Sequence, residues 1–187
     1  ERCLPVIDAT CPLVSKVHIE GRRHADQGLE VIMIGHNGHP EVEGTRGRIP
    51  GGVQVVSSIE DVLRLEVRDI KKLAYVTQTT LSVDDTRNII NSLRERFPDI
   101  QGPELKDICY ATQNRQQSVR DLCLHIDLLL VVGAQNSSNS NRLKEIGVEK
   151  QVPSYLIDDV DALNEDWLGG VSSIGVTAGA SAPEALV

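Results

Sequence analysis

Two cysteines and four polar loops hold the residues of this chain best equipped for chemistry. Cys11 and Cys109 each precede a stretch patterned as a helix, Pro12-Leu-Val-Ser-Lys-Val-His18 and Asn114-Arg-Gln-Gln-Ser-Val-Arg-Asp-Leu122. The first loop is Gly35-His-Asn-Gly-His-Pro-Glu-Val-Glu-Gly44. Its His39 and Glu41 flank Pro40, and a glutamate beside a histidine suits proton delivery. If Pro40 opens a helix, Glu41 and Glu43 point to different sides, one into a site and one away. Zinc hydrolysis lacks its His-Glu-x-x-His spacing.

The second loop, Thr77-Gln-Thr-Thr-Leu-Ser-Val-Asp-Asp85, offers hydroxyls and an amide, with Thr79 among them. Ser82 is placed to cap the helix that follows. The third, Gly133-Ala-Gln-Asn-Ser-Ser-Asn-Ser-Asn-Arg142, gathers neutral donors where a helix should begin, a place that favours an anion. The fourth, Thr177-Ala-Gly-Ala-Ser-Ala-Pro-Glu184, is made of small residues that allow close backbone approach. Ser181 can cap or bind there, and Pro183 suits a first helical turn. No Walker A loop or Gly-x-Gly-x-x-Gly fingerprint is present, so nucleotide hydrolysis and hydride transfer from a dinucleotide lack support. The loops suit a phosphate or diphosphate, with Glu41 and Thr79 as the polar groups for proton handling.

No pair among Cys3, Cys11, Cys109 and Cys123 has the C-x-x-C spacing, and four cysteines are too sparse for a disulfide scaffold. A reducing cytosol fits this usage. Cys3 and Cys123 read as small buried apolar residues, Cys123 within a helix interior over 119–126. For Cys11 and Cys109 two readings stand: a shared functional centre, or one packing position kept in two related units. Two thiolates suggest a soft metal rather than magnesium, yet they are few for a cubane cluster.

The elements that must position these residues repeat. Twenty-four residues after each cysteine, at Gly35 and Gly133, a glycine ends an apolar strand, Val31–Ile34 or Leu128–Val132. Weaker strands follow at Val53–Val56 and Ser154–Ile157, then acidic helix patterns near Glu60–Leu63 and Asp159–Leu163. Third strands end in Val-Thr at Thr77 and Thr177. Alternating strand and helix implies parallel sheets covered by helices. The fold class is therefore α/β, two tandem similar domains with small, mainly parallel sheets. A boundary near Gly102-Pro103 gives domains over 1–102 and 103–187.

Composition narrows the partners. In 187 residues, 40% are hydrophobic and 25% charged, with a net charge of −8. An acidic chain repels a phosphate backbone, and with aromatics at 3% base-stacking platforms are scarce, so nucleic acid is not expected. No apolar run reaches membrane-spanning length, and no signal peptide is visible. The chain begins at Glu1 rather than Met and stops after a loop that should open a helix, which reads as a piece of a longer protein.

Six stretches carry a resemblance, in order along the chain. They are Asp8-Ala-Thr-Cys-Pro-Leu-Val-Ser-Lys-Val-His18, Gly38-His-Pro-Glu-Val-Glu-Gly-Thr45, Thr77-Gln-Thr-Thr-Leu-Ser-Val-Asp-Asp-Thr86, Ile108-Cys-Tyr-Ala-Thr112, Asn136-Ser-Ser-Asn-Ser-Asn-Arg-Leu143 and Gly175-Val-Thr-Ala-Gly-Ala-Ser-Ala-Pro183. From about Val6 onward the chain resembles the 4-hydroxy-3-methylbut-2-enyl diphosphate reductases of the LytB/IspH family. The resemblance implies reductive removal of a hydroxyl from an allylic diphosphate, giving isopentenyl and dimethylallyl diphosphates in the non-mevalonate isoprenoid route. It implies a [4Fe-4S] cluster held by three cysteines, two of them Cys11 and Cys109, the third absent from this chain. His39, Ser137, Ser138, Asn139 and Ser181 would hold the diphosphate, Glu41 would feed protons, and Thr79 would bond nearby. Three similar α/β domains are implied, of which this chain matches the second and third. A ferredoxin or flavodoxin would supply electrons, in a bacterial cytosol rather than a plastid stroma. Without the first domain the fragment is expected to be inactive alone. The alternative is a non-catalytic phosphate-binding α/β module.

Overall fold

The computed structural model describes residues 7–103 and 107–187; Cys3 lies outside them. The chain divides into two compact units, Glu1–Thr79 with Val83–Asp107, and Thr80–Ser82 with Ile108–Val187.

The first unit runs α1 (Pro12–Asp26), β1 (Glu30–Ile34), α2 (Pro40–Arg46), β2 (Val53–Val56), α3 (Ile59–Arg64), β3 (Leu73–Thr77) and α4 (Val83–Arg96). The second runs α5 (Tyr110–Leu122), β4 (Leu128–Val132), α6 (Ser138–Glu149), β5 (Ser154–Ile157) and β6 (Ile174–Ala178), with 3-10 turns at Val160–Ala162, Glu165–Leu168 and Glu184–Leu186. Each unit has a parallel three-stranded sheet, ordered β2-β1-β3 and β5-β4-β6. The fold expectation thus holds.

The central strands are the most continuously apolar because both of their faces are covered. Val31 and Met33 pack with Val17 of α1, Val42 of α2, Ile49 and Val76. In the second unit Leu129 and Val131 pack with Val119 of α5, Leu143 and Ile146 of α6, and Cys123. The repeat extends to hydrogen bonds. Gly35 and Gly133 each donate a backbone N–H to the end of the neighbouring strand, at Val56 and Ile157, both at 2.9 Å. Gln78 and Gly179 donate back to the last residues of the central strands, Ile34 and Val132, again at 2.9 Å. All four loops therefore leave from the carboxyl ends of parallel strands, where such sheets bind ligands.

Three local expectations are corrected. The acidic stretch at Asp159–Leu163 makes one 3-10 turn capped by Asp159, not an α-helix. Cys123 is buried as expected but caps the end of α5 rather than lying inside a helix. Pro183 stands just before a 3-10 turn, not within a first helical turn.

Close packing in the second unit rests on Gly147 of α6. A Cβ there would collide with Ser154 Oγ, which is held by the Val152 carbonyl at 2.8 Å, and would stand 2.8 Å from Leu129 Cδ2. Gly147→Ala is expected to destabilise the fold by ~1–2 kcal/mol, overpacking outweighing the better helix propensity of alanine. Combining it with Ser154→Ala should recover part of that loss in denaturant unfolding.

Candidate functional site

In the first unit the site is built around α2. Pro40 occupies its first turn, and His39 caps it in extended conformation. The His39 Nδ1 accepts the Glu41 backbone N–H at 3.2 Å, so the ring carries its proton on Nε2 when neutral. Burial, and secondarily the neighbouring His36, lower the His39 pKa and favour this neutral form. The ring is thus an uncharged donor.

Glu41 is half-buried and engages one residue with both oxygens. Its Oε1 accepts the Thr79 N–H at 2.8 Å, and its Oε2 accepts the Thr79 hydroxyl at 3.0 Å. Burial pushes its pKa above the ordinary carboxylate value; the two Thr79 bonds oppose this, and the charge of Asp107 adds to it. Glu43 faces outward, accepting from Gly38 N at 3.4 Å and from Arg46 at 3.2 Å. The two glutamates therefore part company as their spacing requires.

In the second unit, Ser137 caps α6 and its Oγ accepts the Ser140 N–H at 3.3 Å. Ser138 is half-buried beside it. Asn139 is 5% exposed, and neither polar atom of its side-chain amide has a partner. The buried Ser140 hydroxyl is likewise unpartnered, set where a Cβ on Gly133 or Gly179 would collide with it. The loops after β4 and β6 thus meet over Ser140, and Ser181 is exposed on the second of them. Buried polar groups left unpaired are uncommon and call for an explanation.

Cys11 and Cys109 hold equivalent places, the N-caps of α1 and α5, with φ/ψ of −54/133° and −57/130°. Both thiols are free, and neither sulfur caps its helix by a hydrogen bond. Two uncommitted sulfurs at helix N-termini fit thiolate donation to a soft metal group. Among the described residues no three His, Cys, Asp or Glu side chains gather as a metal site. The described residues therefore offer two such donors, fewer than a cubane cluster takes.

Sequence reasoning missed three groups. Asp107 is fully buried, with Oδ1 held by Lys16 at 3.1 Å and Oδ2 unpartnered. Lys16 sits inside the Cys11 motif, where its spacing gave no sign of a partner 91 residues away. Arg115 of α5 donates from Nε to the Ala178 carbonyl at 3.2 Å, which places a cation at the start of the loop of small residues after β6.

The family model for LytB protein matches residues 1–187. The chain belongs to the LytB protein family. Among LytB relatives, the 4-hydroxy-3-methylbut-2-enyl diphosphate reductase of Zymomonas mobilis is 59% identical over 187 residues, covering 100% of this chain and 55% of its own length. A reductase of the same name, numbered 2, from Bradyrhizobium diazoefficiens is 61% identical over 186 residues, with 60% of its length covered. The chain thus spans little more than half of these relatives. The solved E-1-hydroxy-2-methyl-but-2-enyl-4-diphosphate reductase of Plasmodium falciparum superposes with a TM-score of 0.91 at 40% identity, over 96% of this chain and 57% of that one. A second solved structure, an (E)-4-hydroxy-3-methyl-but-2-enyl diphosphate reductase described as the terminal enzyme of the non-mevalonate pathway, gives a TM-score of 0.57 at 32% identity, over 97% and 64%. No helix among the described residues is long and apolar enough to cross a membrane.

Proposed function

We propose that this chain is the portion of a 4-hydroxy-3-methylbut-2-enyl diphosphate reductase that delivers the proton and grips the diphosphate. The observation that carries the reading is the Glu41–Thr79 pair, a half-buried carboxyl with raised pKa clamped at a strand's carboxyl end.

The overall change replaces an allylic C–O bond by C–H and releases water, taking two electrons and two protons. Bound iron–sulfur would supply the electrons and a Lewis-acidic iron, with Cys11 and Cys109 as two of its thiolate ligands and the third outside this chain. Glu41, protonated to higher pH than an ordinary carboxyl, donates a proton so that the hydroxyl leaves as water. Thr79 fixes the orientation of that carboxyl. His39 offers Nε2–H to a diphosphate oxygen without adding a fixed charge. Ser137, Ser138, Asn139 and Ser181 bind the remaining oxygens, and the unpaired Asn139 amide gains the partner it lacks. Alone, the chain is inactive for want of the further ligand. The full-length protein works in the cytoplasm, reduced by a ferredoxin or flavodoxin.

Titrating isopentenyl diphosphate into the full-length protein tests the grip. Asn139→Ala should weaken binding about 10- to 100-fold, the scale of lost hydrogen bonds to a charged group. Affinity unchanged in that variant would remove Asn139 from the site.

A further inference from the structure

α1 and α2 are keyed together by two consecutive residues of the turn after α2. Ile49, buried, enters the notch that Gly21 leaves on α1, where a Cβ would collide with Ile49 Cδ1. One residue earlier, exposed Arg48 sets Nη1 2.8 Å from Nδ1 of His18, a turn back along α1. A guanidinium can only donate, so Nδ1 accepts and the imidazole proton sits on Nε2. His18 is 7% exposed, and its Nε2 has no partner. A Cβ on Gly44 of α2 would lie 3.9 Å from that atom.

An apolar side chain would fill this space without burying an unpaired N–H. Packing alone therefore does not account for a histidine. What the ring adds is an acceptor for Arg48, at the opposite end of α2 from His39 and Glu41.

We infer that His18 is a positioning residue: neutral and protonated on Nε2, it accepts Arg48 and locks the C-terminal end of α2 to α1, which sets Glu41 at the head of α2 against Thr79. The lock concerns the geometry of the Glu41 pair, and only its consequence for turnover rests on the reductase reading. The charged groups facing His18 are Arg48 and Asp8. Burial and, next, Arg48 lower its pKa, while Asp8 opposes them. Protonation would set an imidazolium against a guanidinium, so the contact is present at neutral pH and lost in acid.

Ring-nitrogen and carboxyl NMR on the full chain tests this without substrate or cluster, so its outcome is separable from that of the reductase reading. His18 should show the Nε2–H tautomer and a depressed midpoint. His18→Asn keeps an acceptor near the Nδ1 position and should preserve the Thr79 amide shift and the Glu41 midpoint. His18→Leu should move both, the Glu41 midpoint falling toward the ordinary carboxylate range as water reaches a loosened α2. Arg48→Met, at an exposed position, should reproduce the effect if the leucine variant does not fold. An Nδ1–H tautomer overturns the inference. So does a folded His18→Leu or Arg48→Met chain with Glu41 and Thr79 unmoved, which would make His18 a packing residue alone.

Discussion

Glu41→Gln is expected to cut turnover of the full-length protein by about 10²–10⁴-fold, the usual worth of a positioned general acid, while making the fold more stable at neutral pH. The two effects share one cause. Burial raises the Glu41 pKa, so the folded state holds its proton more tightly than the unfolded chain does. A carboxyl of this kind favours folding below its unfolded pKa and loses that contribution as pH rises through its folded pKa. At neutral pH the wild-type carboxyl must therefore either bury its charge or take up a proton on folding, a cost that glutamine avoids. Glutamine keeps both contacts, since its carbonyl accepts the Thr79 N–H and its amide donates to the Thr79 hydroxyl. Urea unfolding at neutral and acid pH should show the variant ahead only at neutral pH, the gap closing where both side chains are uncharged. Diphosphate affinity should stay near wild type. A variant less stable at neutral pH would mean that the Thr79 bonds outweigh burial and that Glu41 is held as an anion, unsuited to give a proton. Full turnover in the variant would remove Glu41 from the chemistry.

Why so much of this fold is legible in the sequence follows from its architecture. Buried parallel strands read as unbroken apolar runs, and β1 and β4 are such runs, each closed by a glycine. Proline at the first turn announces α2, and from it the divergence of Glu41 and Glu43 follows by helical geometry alone. Legibility fails where a conformation is decided by distant partners. Asp159–Leu163 has the composition of α3, but Pro-free acidic patterning does not distinguish a 3-10 turn from an α-helix. Lys16 with Asp107, His18 with Arg48 and Arg115 with Ala178 each join residues far apart in sequence, and no periodicity links them. Among the polar loops, residue types pointed to anion binding and proton handling. The assignment of one particular reaction came from the motifs' resemblance to a family, not from spacing.

Cys11→Ser and Cys109→Ser should each abolish retention of iron and sulfide by the full-length protein after anaerobic reconstitution, without loss of the fold. Ordinarily such a result is open to the objection that the variant no longer folds. Here the geometry answers it. Both cysteines are helix N-caps whose sulfurs make no capping bond. Serine is among the preferred N-cap residues, and its hydroxyl can take up a free amide donor of the first turn, worth ~0.5–2 kcal/mol. Each variant should thus unfold at equal or higher denaturant than the metal-free parent while holding no iron. Cys123→Ser makes the opposite control. Its thiol packs in the core beside Leu129 and Ile146, so serine there should lower stability and leave the iron content per folded molecule unchanged. If instead both N-cap variants keep their iron, the two sulfurs are not ligands, and the equivalence of Cys11 and Cys109 reflects a packing position kept in both units. Diphosphate binding that persists alongside would then favour the non-catalytic phosphate-binding module over the reductase. Loss of iron together with a gain in stability has no such reading, because a residue kept for the fold alone would not be improved upon by serine.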